Sequence, residues 1–121
     1  WIAYHYKIKF FPEATTVYRD LPESASHSQD LQKRERFALS VIDITTFYIK
    51  KFDIVPSKEY WEAVNASYYH YYDTYIRKGN YKKARHYAKI IDLNYVTDRM
   101  RKKVRLFPIR YIKFKIRTLF N

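Results

Sequence analysis

Residues 58–92 read KEYWEAVNASYYHYYDTYIRKGNYKKARHYAKIID, and this stretch decides the fold. Pro56 disfavours helix at Val55, and Ser57 is placed to cap a new one. Glu59 and Glu62 suit the positive end of that helix. The helix should run to about Lys78, where Gly79-Asn80 supplies a left-handed stop followed by the next cap. A third helix then carries Tyr81, Ala84, Ala88 and Ile91 on one side. The expectation is an antiparallel helical hairpin in which small alanines permit close approach.

The tyrosine run inside this stretch, YYHYYDTY at 68–75, invites a stacking platform for bases or sugars. Such a platform needs exposed rings beside a positive groove. Helical spacing instead puts Tyr68, Tyr71, Tyr72 and Tyr75 on successive turns of one packed face. Tyrosine buries its ring and leaves its hydroxyl at the edge, so core packing is the favoured reading. The pair of helices also resembles one tetratricopeptide-type hairpin, with Trp61, Val64 and Tyr68 fitting its first helix. That helix is too long for the repeat, and no second copy occurs.

Outward from the hairpin, the composition supports a mainly α fold of four to five helices. The 121 residues include one glycine and four prolines, too few for a turn-rich sandwich or barrel. Glycine-rich phosphate-binding loops are excluded for the same reason. There is no cysteine, hence no disulfide and no thiolate metal site. No apolar run approaches the roughly 20 residues of a membrane-spanning helix. Asp-, Glu- and His-based chemistry has little to work with. His5, His27, His70 and His86 never fall three or four residues apart, so no local metal pair exists, although His27 sits in a polar loop. Glu13, Asp20, Glu23 and Asp30 could offer an acid and a base, but nothing in their spacing requires it.

Upstream of the hairpin, the apolar positions Phe37, Val41, Ile44, Tyr48 and Phe52 recur at helical spacing. They predict a helix over about 29–52 with one core-facing stripe, capped by Ser26 or Ser28. Residues 7–19 alternate and are rich in β-branched side chains around Pro12, which reads as a short β segment. Downstream, residues 94–107 predict a short helix capped by Asn94, and Pro108 opens a last segment.

The net charge of +12 is concentrated in that last region, where residues 99–121 hold nine Lys and Arg and no acid. On a helical wheel Ile109, Ile112, Ile116, Leu119 and Phe120 share a face. Arg110, Lys113 and Arg117 flank it on one side and Lys115 on the other. A basic amphipathic helix of this kind suits an anionic membrane surface. The competing reading packs the apolar face on the hairpin and leaves the charges solvated. Nucleic-acid backbone binding by residues 99–117 is a third reading, disfavoured because no base-reading motif accompanies the charge.

The segment FFPEATTVYRDLPESASHS at 10–28 resembles the region that closes the catalytic domain of bacterial family-two glycosyltransferases. An aromatic residue, a glutamate and a Tyr-Arg pair precede a polar Ser-x-Ser segment there. The matching residues are Phe11, Glu13, Val17, Tyr18, Arg19, Ser24, Ser26 and His27. WIAYHYKIKFF resembles the end of the helix after the family's catalytic acidic motif and the strand that follows. The likeness extends through FALSVIDITTFYIKKFDI at 37–54.

The resemblance implies that 1–27 is the tail of an inverting, GT-A type catalytic domain and 28–121 a helical C-terminal domain with a basic end. It implies transfer of a sugar from a nucleotide-sugar donor to a glycan or lipid-linked acceptor, assisted by Mg or Mn, with the metal motif and general base upstream of Trp1. The parent is then an enzyme of polysaccharide biosynthesis, in the cytoplasm or peripheral at the inner membrane face. The chain itself would be inactive and hold no metal. Tyr18, Arg19, Ser24, Ser26 and His27 would lie near donor or acceptor. The membrane-surface set would be Arg110, Ile112, Lys113, Ile116, Arg117, Leu119 and Phe120. The alternatives are a small helical protein-interaction module using 57–91 and, less favoured, a nucleic-acid-binding domain.

Overall fold

The computed structural model describes His5, Lys7 and residues 28–119. The chain divides into two compact units, Trp1–Val55 and Pro56–Asn121. The described residues are mainly helical, and no strand occurs among them. The expected β segment over 7–19 lies outside the described residues except for Lys7, as does the expected 1–27 unit except for His5 and Lys7.

In the first unit, helix α1 spans Leu31–Lys51. Its cap is Asp30 rather than either serine. The Asp30 carboxylate accepts from the Gln32 backbone N–H at 2.8 Å, and Ser28 supports the turn by accepting from the Asp30 N–H at 3.2 Å. Ser26 lies outside the described residues. A carboxylate is the better cap because it also meets the positive helix end with charge. Past Phe52 the chain closes a Schellman motif, in which Ile54 N–H donates to the Ile49 carbonyl at 3.0 Å. Asp53 holds the left-handed position with φ of 48°.

The expected core stripe of α1 is not the buried one. Phe37, Val41, Ile44 and Tyr48 are exposed. The inward stripe is instead Leu31 and Glu35, continued by half-buried Ala38, Ile42, Thr45 and Ile49. Both series keep helical spacing, so periodicity alone could not choose between them. Phe52 is half-buried; it stacks on Tyr48 with centroids 5.9 Å apart and meets the His5 ring edge-on.

In the second unit, α2 spans Lys58–Arg77 and α3 spans Tyr81–Ile90. Ser57 caps α2 by accepting from the Tyr60 N–H at 3.3 Å. The Glu59 carboxyl in the first turn is held below its usual range by hydrogen bonds to its own backbone N–H and the Ser57 hydroxyl. The helix ends in a second Schellman motif: Asn80 N–H donates to the Tyr75 carbonyl at 2.9 Å, and Gly79 takes φ of 69°. Asn80 at once caps α3 by accepting from the Lys83 N–H at 3.1 Å.

Between α2 and α3 lies the core. Tyr87 of α3 stacks on Tyr71 and Tyr75 of α2, with centroids 5.7 and 6.1 Å apart, and Ala84 beside it is wholly buried. Burying a side chain of this size is worth about 1.5–3 kcal/mol. Tyr72 is also fully enclosed, and its hydroxyl donates to the Lys103 carbonyl at 3.0 Å. The Tyr68–Tyr75 run is therefore packing material, with Tyr71, Tyr72 and Tyr75 buried and Tyr68 half-buried.

A short 3-10 turn, Leu93–Tyr95, follows α3 and is held by Asn65. This asparagine is 2% exposed; its amide donates to the Trp61 carbonyl at 2.8 Å and its oxygen accepts from the Asp92 N–H at 2.7 Å. Helix α4, Asp98–Arg105, is capped by Thr97 and not by Asn94, which falls inside the 3-10 turn behind Asp92. The Thr97 hydroxyl accepts from the Met100 N–H at 3.4 Å. Asp73 of α2 ties α4 down by pairing with Lys103 at 3.4 Å as well as with Arg77 at 2.6 Å. Helix α5, Phe107–Leu119, begins directly after Leu106. Pro108 fits its first turn, where a missing N–H costs nothing.

Candidate functional site: a basic, apolar surface on the last helix

Helix α5 carries two apolar faces, and the fold uses the aromatic one for packing. Phe107 is buried, meets Tyr72 edge-on and stacks with Tyr111. Phe114 stacks on Tyr81 with centroids 4.2 Å apart. Positions 107, 111 and 114 are one helical turn apart, so they share a side. Ile109, Ile112 and Ile116 fall on the opposite side and remain 54%, 57% and 49% exposed.

The isoleucines thus do not pack on the helices beneath, and the competing expectation of a buried isoleucine face is overturned. The signal for this was present as Phe-x-x-x-Tyr-x-x-Phe at 107–114, which sequence reasoning passed over. Of the expected membrane-surface set, Arg110, Ile112, Lys113, Ile116 and Arg117 are all exposed. Leu119 closes the helix backbone, and Phe120 lies outside the described residues. Tyr18, Arg19, Ser24, Ser26 and His27 likewise lie outside them, so the donor or acceptor contacts are not placed.

Cations surround the docked helix. Arg110, Lys113, Lys115 and Arg117 form no ion pair among the described residues. Arg85 and Lys115 each approach the Tyr111 ring to 5.8 Å. Three depressions mark this side of the unit. One, of about 410 Å³, has Ala88, Val104, Phe107, Pro108 and Ile112 in its walls and Arg85 and Lys89 exposed at its edge. A second, of about 260 Å³, is formed by Lys82, Arg85, His86 and Lys89. A third, of about 220 Å³, lies beside the Tyr81–Phe114 stack under Arg110, Lys113 and Arg117. Each has at least two cations in its lining and no carboxylate. Such a surface attracts anions at long range and holds apolar groups at short range.

No group of three His, Asp or Glu side chains placed to hold a metal ion occurs among the described residues. Of the aromatic rings on 57–91, Tyr71, Tyr72, Tyr75 and Tyr87 are buried, while Tyr60, Trp61, Tyr68, Tyr69 and Tyr81 are half-buried. Among the described residues no helix is long and apolar enough to cross a membrane. No protein-family model, curated protein or solved structure matches this chain.

Proposed function

We propose that the second unit docks reversibly on an anionic membrane surface through the outer face of α5. The observation that carries this reading is the pairing of exposed Ile109, Ile112 and Ile116 with Arg110, Lys113, Lys115 and Arg117 on a helix already anchored by its opposite, aromatic side. Each cation near an anionic leaflet contributes about 1 kcal/mol, and partly buried isoleucines add about 0.8 kcal/mol per methylene. The sum is enough for peripheral, salt-sensitive attachment and far short of permanent anchoring.

In this proposal the α2–α3 pair is an antiparallel hairpin serving as the platform for α5. From the resemblance at 10–28 and 37–54, the chain is the C-terminal helical region of a glycosyltransferase. It would bring a nucleotide-sugar-dependent catalytic domain to a lipid-linked or glycan acceptor at the membrane face.

Vesicle sedimentation tests the docking. The chain should pellet with vesicles rich in phosphatidylserine, stay in solution with phosphatidylcholine alone, and be released as salt approaches molar strength. An Ile109→Ser, Ile112→Ser, Ile116→Ser variant that pellets like the parent would end the proposal. The glycosyltransferase assignment stands on a separate test: an Asp-x-Asp after a βαβ pattern in sequence encoded upstream of Trp1.

A further inference from the structure

Arg85 and Lys89 are shared by two adjoining depressions of opposite character. On one side Lys82, Arg85, His86 and Lys89 form a polar basin, the four side chains falling on one face of α3 at spacings of three and four residues. On the other side the same two cations border the groove walled by Ala88, Val104, Phe107, Pro108 and Ile112. Neither Arg85 nor Lys89 has an ion-pair partner among the described residues.

We infer that this double depression is a binding site for one anionic lipid, its phosphate on Lys82, Arg85 and Lys89 and the start of its acyl chain in the apolar groove. The site rests on the membrane-surface reading and gives it a specific lipid class. The groove's 410 Å³ is within the roughly 300–1,000 Å³ of small-ligand sites, and its walls are apolar as such sites require. Charge selects the head. An arginine fork takes two phosphate oxygens, and flanking lysines add point charges, which together match an exposed monoester phosphate better than one masked by choline. Ile112 belongs to both the groove wall and the exposed face of α5, so a chain leaving the groove emerges beside the side chains proposed to meet the bilayer. An acidic peptide would satisfy the cations, but a single apolar trough beside them suits an acyl chain.

The test uses the full 121-residue chain and dihexanoyl phosphatidic acid kept below its micellar concentration, followed by amide NMR. Saturable binding is expected, with shifts centred on Arg85, Lys89 and Ile112. An Arg85→Gln, Lys89→Gln variant should bind at least about tenfold more weakly, as should dihexanoyl phosphatidylcholine to the parent chain. Both side chains are exposed, so the variant keeps its fold. Glycerol 3-phosphate, the head without the tail, should fail to compete.

The inference is overturned by absence of saturable binding, by equal affinity for the choline lipid, or by an unaffected double variant. Competition by glycerol 3-phosphate at equal strength would reduce the site to an anion patch and overturn it too, as would tighter binding of an acidic amphipathic peptide in the groove. The two proposals fail separately. Vesicle binding without binding of the soluble lipid sinks the groove alone, and soluble lipid binding without vesicle binding sinks the membrane-surface reading.

Discussion

The Phe114 ring lies on the Tyr81 ring with centroids 4.2 Å apart and planes inclined by 20°. Tyr81 is the first residue of α3 and Phe114 sits well along α5, so this stack fixes the rotation of the last helix about its own axis. Once Phe107, Tyr111 and Phe114 point inward, geometry turns Ile109, Ile112 and Ile116 outward.

Removing that stack should therefore cost stability, while changing the isoleucines should not. Phe114→Ala is expected to lower unfolding free energy by about 1–3 kcal/mol, combining lost burial with the aromatic pair. Ile112→Ser and Ile116→Ser should each stay within about 0.5 kcal/mol of the parent. Urea denaturation of the three variants provides the comparison, and a large loss in the serine variants would mean the isoleucines are packed.

Asn65 should behave as a clamp on the 3-10 turn. Asn65→Ala leaves the Asp92 N–H without the oxygen it meets at 2.7 Å, which should cost about 1–3 kcal/mol. Hydrogen exchange at the Asp92 amide should accelerate in the variant before global unfolding is reached.

The two Schellman motifs predict opposite outcomes for a glycine swap. Gly79 has nothing within 4 Å of where a Cβ would lie, so Gly79→Ala should cost about 1 kcal/mol through backbone strain alone. Asp53 carries the same positive φ with a side chain, so Asp53→Gly should raise stability by about 0.5–1 kcal/mol. Thermal unfolding of the two variants reads both signs.

Alkaline pH should expose the buried hydroxyl. Burial pushes the Tyr72 phenol up to about 12 from an ordinary 10, with Tyr69 and Asp73 adding to the rise and Arg110 opposing it. The folded state holds this proton more tightly than the unfolded chain. Its contribution is therefore complete below pH 10, declines above it, and is gone once pH passes about 12. Phenolate absorbance should show a late-titrating phenol that is lost in Tyr72→Phe. That variant should also lose about 0.5–1.5 kcal/mol near neutral pH with its bond to Lys103, and its stability should fall less steeply over the same alkaline range.

Local chemistry was legible wherever a single residue settles a local conformation. Ser57, Gly79 and Asn80 bound α2 and α3 as their side chains and φ preferences require, and the tyrosine run packs as its spacing indicated. The caps of α1 and α4 were misplaced because several residues within a few positions could each serve. Asp30 over Ser28, and Thr97 over Asn94, was settled by where the preceding backbone turns.

By itself the sequence determined a mainly helical chain, the α2–α3 boundary at Gly79, and a cationic last helix with apolar residues at two phases. Which phase is buried was decided only by tertiary structure, and twice. In α1 the Leu31–Glu35 phase turns inward and the Phe37–Val41 phase outward, and in α5 the aromatic phase docks while the isoleucine phase stays in water. Periodicity specifies that a face exists; only the shape and chemistry of the partner surface choose the face. Here Tyr72 and Tyr81 offered aromatic rings, and it was the aromatic rings of α5 that they accepted.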